Sequence, residues 1–213
     1  MVPEAVLFDF GGVILSSPFD AFARYEADRG LPVGFLRSVN ATDPDTNAWA
    51  RLERSEIDVD GFAGAFEEEA SALGHRVPGR DVLALLAGEV RPEMVEAVRR
   101  CGERLGTALL TNNVRGLEAD PQVAAIVALF DVVVESSVVG VRKPDPAFYE
   151  LACERLGIEP SQAVFLDDLG VNLKPARAMG MTTIKVDDPA VALAQLEQVV
   201  GFPLAPPSPV GTP

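Results

Sequence analysis

Three acidic side chains, a lysine and a hydroxyl recur at places in the chain where short apolar runs end or helices begin. Asp9 stands in Phe8-Asp9-Phe10-Gly11-Gly12-Val13, straight after Ala5-Val6-Leu7. Thr111, Asn112 and Asn113 follow Ala108-Leu109-Leu110, and Asp167 and Asp168 follow Ala163–Leu166. Lys143 lies in Arg142-Lys143-Pro144-Asp145-Pro146. Carboxylates gathered in one crevice repel one another unless a cation sits among them. Oxygen-only ligands of this kind suit Mg²⁺, which takes one or two carboxylates together with water and substrate phosphate. Mg²⁺ is therefore expected between Asp9 and Asp168. Thr111 and its neighbouring backbone N–H groups, with Asn112 beside them, are expected to contact a phosphorylated substrate, while Lys143 screens the charge of nucleophile and phosphate. Asp9 could then attack phosphorus and form an aspartyl phosphate.

Each feature taken singly also has a plain structural reading. An aspartate before a glycine pair is commonly a turn residue, Asp167-Asp168 could cap the helix that follows, Thr111-Asn112 could shape a loop, and a lysine usually carries surface charge. The letters Asp9-Phe10-Gly11 also occur in kinases, but the chain lacks the glycine-rich nucleotide loop and the catalytic loop that would accompany them. His75 reads as a surface residue and Glu67-Glu68-Glu69 as a solvated helix face. What favours a site is the placement of four such features, in order, at successive element ends.

The elements that must position them are legible from hydrophobic pattern. Five short apolar runs stand out, Ala5–Phe8, Ala108–Leu110, Val132–Val134, Ala163–Leu166 and Thr182–Val186, and several are nearly continuous rather than alternating, as strands covered on both faces of a parallel sheet are. Helical spacing occupies Pro144–Leu156, Val171–Met179 and Ala190–Val200. The alternation predicts a doubly wound, Rossmann-like α/β sheet with right-handed crossovers, whose functional groups gather at the carboxyl edge of the strands. Residues 16–96 break the rhythm with helix-like pieces such as Asp20–Arg29 and Asp60–Leu73. They predict an inserted helical cap, leaving residues 1–15 and 97–202 as the core and 203–213 as an extended, solvated, proline-rich tail.

The chain has 213 residues and a formal net charge of −14, so its field repels nucleic acid and anionic membranes. Apolar segments fall short of the ~20 residues of a membrane span, and the first strand begins too early to leave room for a signal peptide. The expectation is a cytoplasmic protein that binds neither membrane nor nucleic acid. Cys101 and Cys153 lack any metal-binding spacing and are expected to be core thiols.

With these residues in view, the chain resembles the haloacid dehalogenase-like (HAD) superfamily. FDFGGV is similar to its first motif, ALLTNN to its second, Lys143 in RKPDP to its third and FLDDLGVN to its fourth. The stretches VVESSVVGVRKPDPAFYE and FLDDLGVNLKPARAMGMTTIKV look most like the branch that includes the amino-terminal phosphatase domain of soluble epoxide hydrolase and a domain preceding certain acyl-CoA dehydrogenases. The resemblance implies that Asp9 is the nucleophile, that the Gly11 carbonyl and Asp168 are metal ligands, and that Asp167 and Asn172 support the metal shell. It implies Thr111 and Lys143 as phosphate contacts. It also implies a gap, because the first motif commonly carries an aspartate at the position of Gly11, where it protonates the leaving group and activates water.

The leading expectation is a Mg²⁺-dependent phosphomonoester hydrolase, slowed or made selective for good leaving groups by Gly11. General acid–base catalysis typically supplies ~10²- to 10⁴-fold, so its loss handicaps such an enzyme without silencing it. The alternatives are a metal-free 2-haloacid dehalogenase, against which Asp167-Asp168 argues, and a catalytically weak domain that binds a phosphorylated ligand or a protein.

Overall fold

The computed structural model describes residues 3–113 and 120–204. Five strands, β1 (Ala5–Phe8), β2 (Gly106–Thr111), β3 (Val132–Glu135), β4 (Ala163–Asp167) and β5 (Thr182–Lys185), form one parallel sheet in the order β3-β2-β1-β4-β5. This is the expected doubly wound architecture. The central strands β1 and β4 are buried along their whole length, which is why they read as continuous apolar runs. Strand β2 starts earlier than its apolar run because Thr107 satisfies its polar groups internally. Its N–H and hydroxyl both donate to Asp131 Oδ2, at 2.8 and 3.1 Å.

Alternate side chains of the sheet feed two cores. Val6, Phe8, Leu109, Val164, Leu166 and Ile184 pack on one face with Met94, Ile126 and Leu196. Ala5, Leu7, Ala108, Leu110, Val134 and Phe165 pack on the other with Phe148, Tyr149 and Leu173. The covering helices start and stop where local chemistry dictates. In the helix Pro146–Leu156, Asp145 accepts from the Ala147 N–H at 3.0 Å, proline holds the first position, and Gly157 ends it at φ 71°. The helix Pro189–Val200 repeats the device with Asp188, Pro189 and Gly201. Cys101 and Cys153 are buried and free, and burial pushes their thiols up to about 12 and about 11.

Between β1 and β2 the chain leaves the sheet for α1 (Phe19–Arg29), α2 (Phe35–Ala41), α3 (Ala48–Glu53), α4 (Val59–Ala72) and α5 (Gly79–Ala84), then returns through α6 (Pro92–Gly102), which packs on β2. Helices α1 to α5 enclose a third core built on Phe22, Leu36, Trp49, Phe62, Phe66 and Val82, with the rings of Trp49 and Phe62 4.6 Å apart. The two connections to the sheet run side by side. Leu15 and Val90 form an antiparallel bridge, the Ser16 N–H donates to the Glu89 carbonyl at 2.8 Å, and the Arg91 N–H donates to the Ile14 carbonyl at 2.9 Å.

The expected solvated tail begins differently, for Leu204 is buried and its N–H donates to Glu197 Oε1 at 2.7 Å. The rest of the tail lies outside the described residues. Among the described residues no helix is long and apolar enough to cross a membrane.

Candidate active site

In this strand order β1 has β2 on one side and β4 on the other, so chain direction across the sheet reverses at β1 and β4. A crevice opens at the carboxyl ends of strands at such a switch point. Asp9 leaves β1 there, and Asp167 and Asp168 leave β4. One oxygen from each of the three carboxylates lies within 4.8 Å of the others.

Lys143 is what lets them converge. It is 1% exposed, and its Nζ lies 2.6 Å from Asp9 Oδ1 and 2.8 Å from Asp167 Oδ2. Its backbone is clamped by Asn112, whose amide donates to the Lys143 carbonyl at 2.9 Å and accepts from the Lys143 N–H at 2.8 Å. Asn112, expected as a substrate contact, thus spends its side chain on anchoring the lysine. Thr111, the last residue of β2, is buried beside it. Asn113 ties the end of β2 to the end of β3, its side chain donating to Glu135 at 2.6 Å and accepting from the Ser137 hydroxyl at 2.9 Å.

Asp167 is fully buried and accepts from the Leu169 N–H at 2.8 Å and from Asn172 Nδ2, which is 3.1 Å from each oxygen. Asn172 lies in the helix Gly170–Ala178, and its carbonyl accepts from the buried Tyr149 hydroxyl at 2.7 Å. Asp168 is less buried and accepts from Ser17 Oγ at 3.3 Å. The geometry therefore brings together Asp9, Lys143, Asp167, Asp168 and Asn172.

Phe10–Ile14 forms one wide turn closed by the Leu15 N–H on the Phe10 carbonyl at 2.9 Å, with Asp9 Oδ1 accepting from the Phe10 N–H at 2.7 Å. Gly11 and Gly12 depart from helical angles within it. Gly12 takes φ 80°, and a Cβ there would sit 2.2 Å from Asp168 Oδ2. Gly11, at φ −71° and ψ 129°, is exposed, and a Cβ would meet nothing within 4 Å.

The electrostatics follow from crowding. Burial raises the Asp9 carboxyl well above its ordinary value, Lys143 opposes this, and Asp167 and Asp168 push the same way as burial. Burial alone would lower Lys143, but Asp167 and Asp9 overturn that and raise it, so the ammonium is charged at neutral pH. Asp168 is pushed up to about 6 by burial and Asp167, against Lys143 and Ser17. A cation would relieve Asp9 and Asp168 at once, since opposite charge within a few ångströms favours the ionised form. This convergent, oxygen-only donor set fits Mg²⁺.

Further residues at the site carry no signal in local sequence. Ser17 and Arg91 arrive from the two connections to the helical unit, Arg91 donating to the Gly12 carbonyl at 2.5 Å. Beside Lys143, Arg142 reaches across to that unit. Its Nε lies 2.6 Å from Glu53 Oε2 and its Nη1 donates to the Pro44 carbonyl at 2.9 Å, while Ser55 Oγ donates to the Ser137 carbonyl at 2.9 Å. Only the folded chain brings these positions together.

Residues 3–180 match the family model for haloacid dehalogenase-like hydrolases. The chain is 37% identical over 207 residues to acyl-CoA dehydrogenase family member 10 of Mus musculus, covering 94% of this chain and 19% of that protein. It is 34% identical over 222 residues to bifunctional epoxide hydrolase 2 of Sus scrofa, covering 96% and 40%. The chain thus spans less than half the length of these two relatives. It is also 33% identical over 200 residues to phosphatase MT3486 of Mycobacterium tuberculosis, covering 86% and 87%. Among solved structures, an L-2-haloacid dehalogenase from Xanthobacter autotrophicus superposes with a TM-score of 0.62 at 22% identity, covering 97% of this chain and 85% of that one. A HAD-family enzyme from Bacteroides thetaiotaomicron, in complex with magnesium and inorganic phosphate, does so with a TM-score of 0.56 at 18% identity, covering 86% and 93%. At these identities the structural matches speak to the fold.

Proposed function

The chain belongs to the haloacid dehalogenase-like hydrolases, and from that premise we propose that it is a Mg²⁺-dependent phosphomonoester hydrolase with Asp9 as nucleophile. The observation that carries the reading is the convergence of Asp9, Asp167 and Asp168 around the buried Lys143. Asp9, Asp168 and the Gly11 carbonyl would hold the ion, with Asp167 and Asn172 supporting them. Mg²⁺ bound there would offset the carboxylate charge and polarise a phosphate oxygen.

The other roles belong to the chain's own atoms. Lys143 holds Asp9 Oδ1 in place and lies ready to stabilise negative charge on the phosphoryl oxygens as the bond to the leaving group breaks. Thr111 contacts the phosphoryl group, and Asn112 acts through Lys143. A carboxylate oxygen of Asp9 attacks phosphorus, the P–O bond to the substrate breaks, and water later attacks the aspartyl phosphate to release phosphate and regenerate Asp9. The α1–α5 unit serves as a cap that excludes water and selects a small phosphorylated substrate.

Gly11 offers no side chain to protonate the departing oxygen. Aryl, acyl and anomeric phosphates leave without much help and should be favoured over simple alkyl esters. The acidic cluster supports phosphate chemistry over halide displacement, because a metal-free site gains nothing from assembling mutually repelling carboxylates. The 33% identity to a mycobacterial protein named as a phosphatase supports the same choice.

The test is a phosphomonoester panel with and without Mg²⁺, beside Asp9→Asn. Phosphate release that needs Mg²⁺ and disappears in the variant supports the proposal. Chelator-insensitive halide release would replace it with dehalogenation, and tight phosphate binding without turnover would replace it with a binding role.

A further inference from the structure

Arg91 occupies the N-cap of α6, where Ser, Thr, Asp or Asn stabilise a helix and where the helix dipole disfavours a cation. Its side chain caps nothing in that helix. Instead its Nη1 donates to the Gly12 carbonyl at 2.5 Å and lies 3.4 Å from the Val13 carbonyl, while its backbone N–H donates to the Ile14 carbonyl at 2.9 Å. One residue thus gathers three consecutive carbonyls of the turn that follows Asp9.

That turn needs an external hold. The bond from Leu15 to Phe10 fixes its ends, but between them lie Gly11 and Gly12, both outside helical angles and both of the residue type with the greatest backbone freedom. Gly12 must also keep the conformation that clears Asp168. We infer that Arg91 is a positioning residue, clamping the Gly12 and Val13 carbonyls so that the Asp9 turn keeps its register against Asp168. This rests on the reading of Asp9 as nucleophile. The guanidinium bonds to backbone carbonyls of the turn rather than to either carboxylate, so it acts through the backbone. Arg91 also follows Val90, whose bridge to Leu15 joins the two connections to the helical unit. It therefore anchors the turn on the sheet side of any hinge at those connections.

Arg91→Ala and Arg91→Lys test this. Misplacing reactive groups by about an ångström can cost ~10²-fold, so Arg91→Ala should lower kcat about 10- to 100-fold with KM changed less than about twofold. Mg²⁺ binding to the substrate-free protein, followed by calorimetry, should weaken about tenfold, and the pH profile should not move. Arg91→Lys should recover part of both losses, as should guanidinium ion added to Arg91→Ala. Wild-type kcat and Mg²⁺ affinity in a folded Arg91→Ala protein of lower Tm would overturn the inference, and so would a shifted pH profile. If Arg91→Ala does not fold, Arg91→Lys decides: an intermediate Mg²⁺ affinity and kcat support the clamp, and unchanged values overturn it. If the wild-type protein binds Mg²⁺ but hydrolyses no phosphomonoester, the proposed function fails while the calorimetric comparison still decides the role of Arg91.

Discussion

Gly12 and Asp168 leave no room between them for a side chain: a Cβ on Gly12 would stand 2.2 Å from Asp168 Oδ2, at a φ of 80°. The second glycine of the Asp9 turn is thus required by an acid more than 150 residues later in the chain. In Gly12→Ala the left-handed backbone costs roughly 1–2 kcal/mol, and the collision displaces Asp168 as well. Urea denaturation should show the stability loss, and Mg²⁺ titration should show weaker binding than in the wild type.

The neighbouring glycine behaves in the opposite way. Gly11 has extended backbone angles and open space at its Cβ position, so Gly11→Asp should fold with wild-type stability. If the added carboxyl reaches the leaving group, turnover of alkyl phosphates should rise by up to ~10²- to 10⁴-fold, the usual range for general acid–base catalysis, with aryl phosphates gaining far less. The ratio of the two rates is the readout, and an unchanged ratio would show that the turn no longer aims that position at the substrate.

Lys143→Met removes the only ammonium between Asp9 and Asp167 among the described contacts. Breaking a buried ion pair by deleting one partner costs about 3–5 kcal/mol. The metal-free variant should be destabilised on that scale by chemical denaturation, with Mg²⁺ restoring part of the loss. Phosphate release should be lost even where Mg²⁺ still binds.

The site should also set a pH dependence. Asp168 is raised from 3.8 to about 6 in the folded protein, so the fold holds this proton more tightly than the unfolded chain does. The stability gained from it is complete below pH 3.8 and is lost as pH rises through about 6. Protons compete with Mg²⁺ for the same oxygens, so metal affinity should climb across that window. Thermal unfolding at pH 5 and pH 7.5 should show the larger Mg²⁺-induced rise in Tm at the higher pH.

Arg142, the residue beside Lys143, contacts the helical unit at Glu53 and Pro44. Burial raises the Glu53 carboxyl against the pull of Arg142, so desolvation offsets part of the pair's attraction. Because Asn112 holds the Lys143 backbone independently, Arg142→Ala should loosen closure more than chemistry. KM should rise about tenfold, with kcat falling less; an equal fall in both kcat and kcat/KM would instead place Arg142 in the transition state.

The sheet was readable in sequence because buried parallel strands leave continuous apolar runs, and Asp9, Asp167 and Lys143 stood out because each adjoins such a run or a helix start. The helix expected from Pro144 starts instead at Pro146, where Asp145 caps it, and the one expected from Ala190 starts at Pro189 behind Asp188. What did not show was whatever depends on distant parts of the chain meeting. Ser17 on Asp168, Arg91 on Gly12 and Arg142 on Glu53 are ordinary residues locally. Asn112 looked available to substrate, and only the fold reveals that its amide is paired to the Lys143 backbone. Thr107 hid the start of β2 because its partner Asp131 lies on another segment.

The paired connections at Leu15 and Val90 have an engineering consequence. The chain departs for the helical unit and returns at neighbouring points of one antiparallel bridge, and the unit packs around a centre of its own. A two-residue hairpin is long enough to join adjacent antiparallel strands, so residues 16–89 should be exchangeable as a module once the contacts of Ser17, Glu53 and Ser55 to the sheet unit are provided for. Exchanging it for another helical module would leave Asp9, Lys143, Asp167 and Asp168 on untouched sequence, and a trimmed version would show what the carboxylate centre does without the helices.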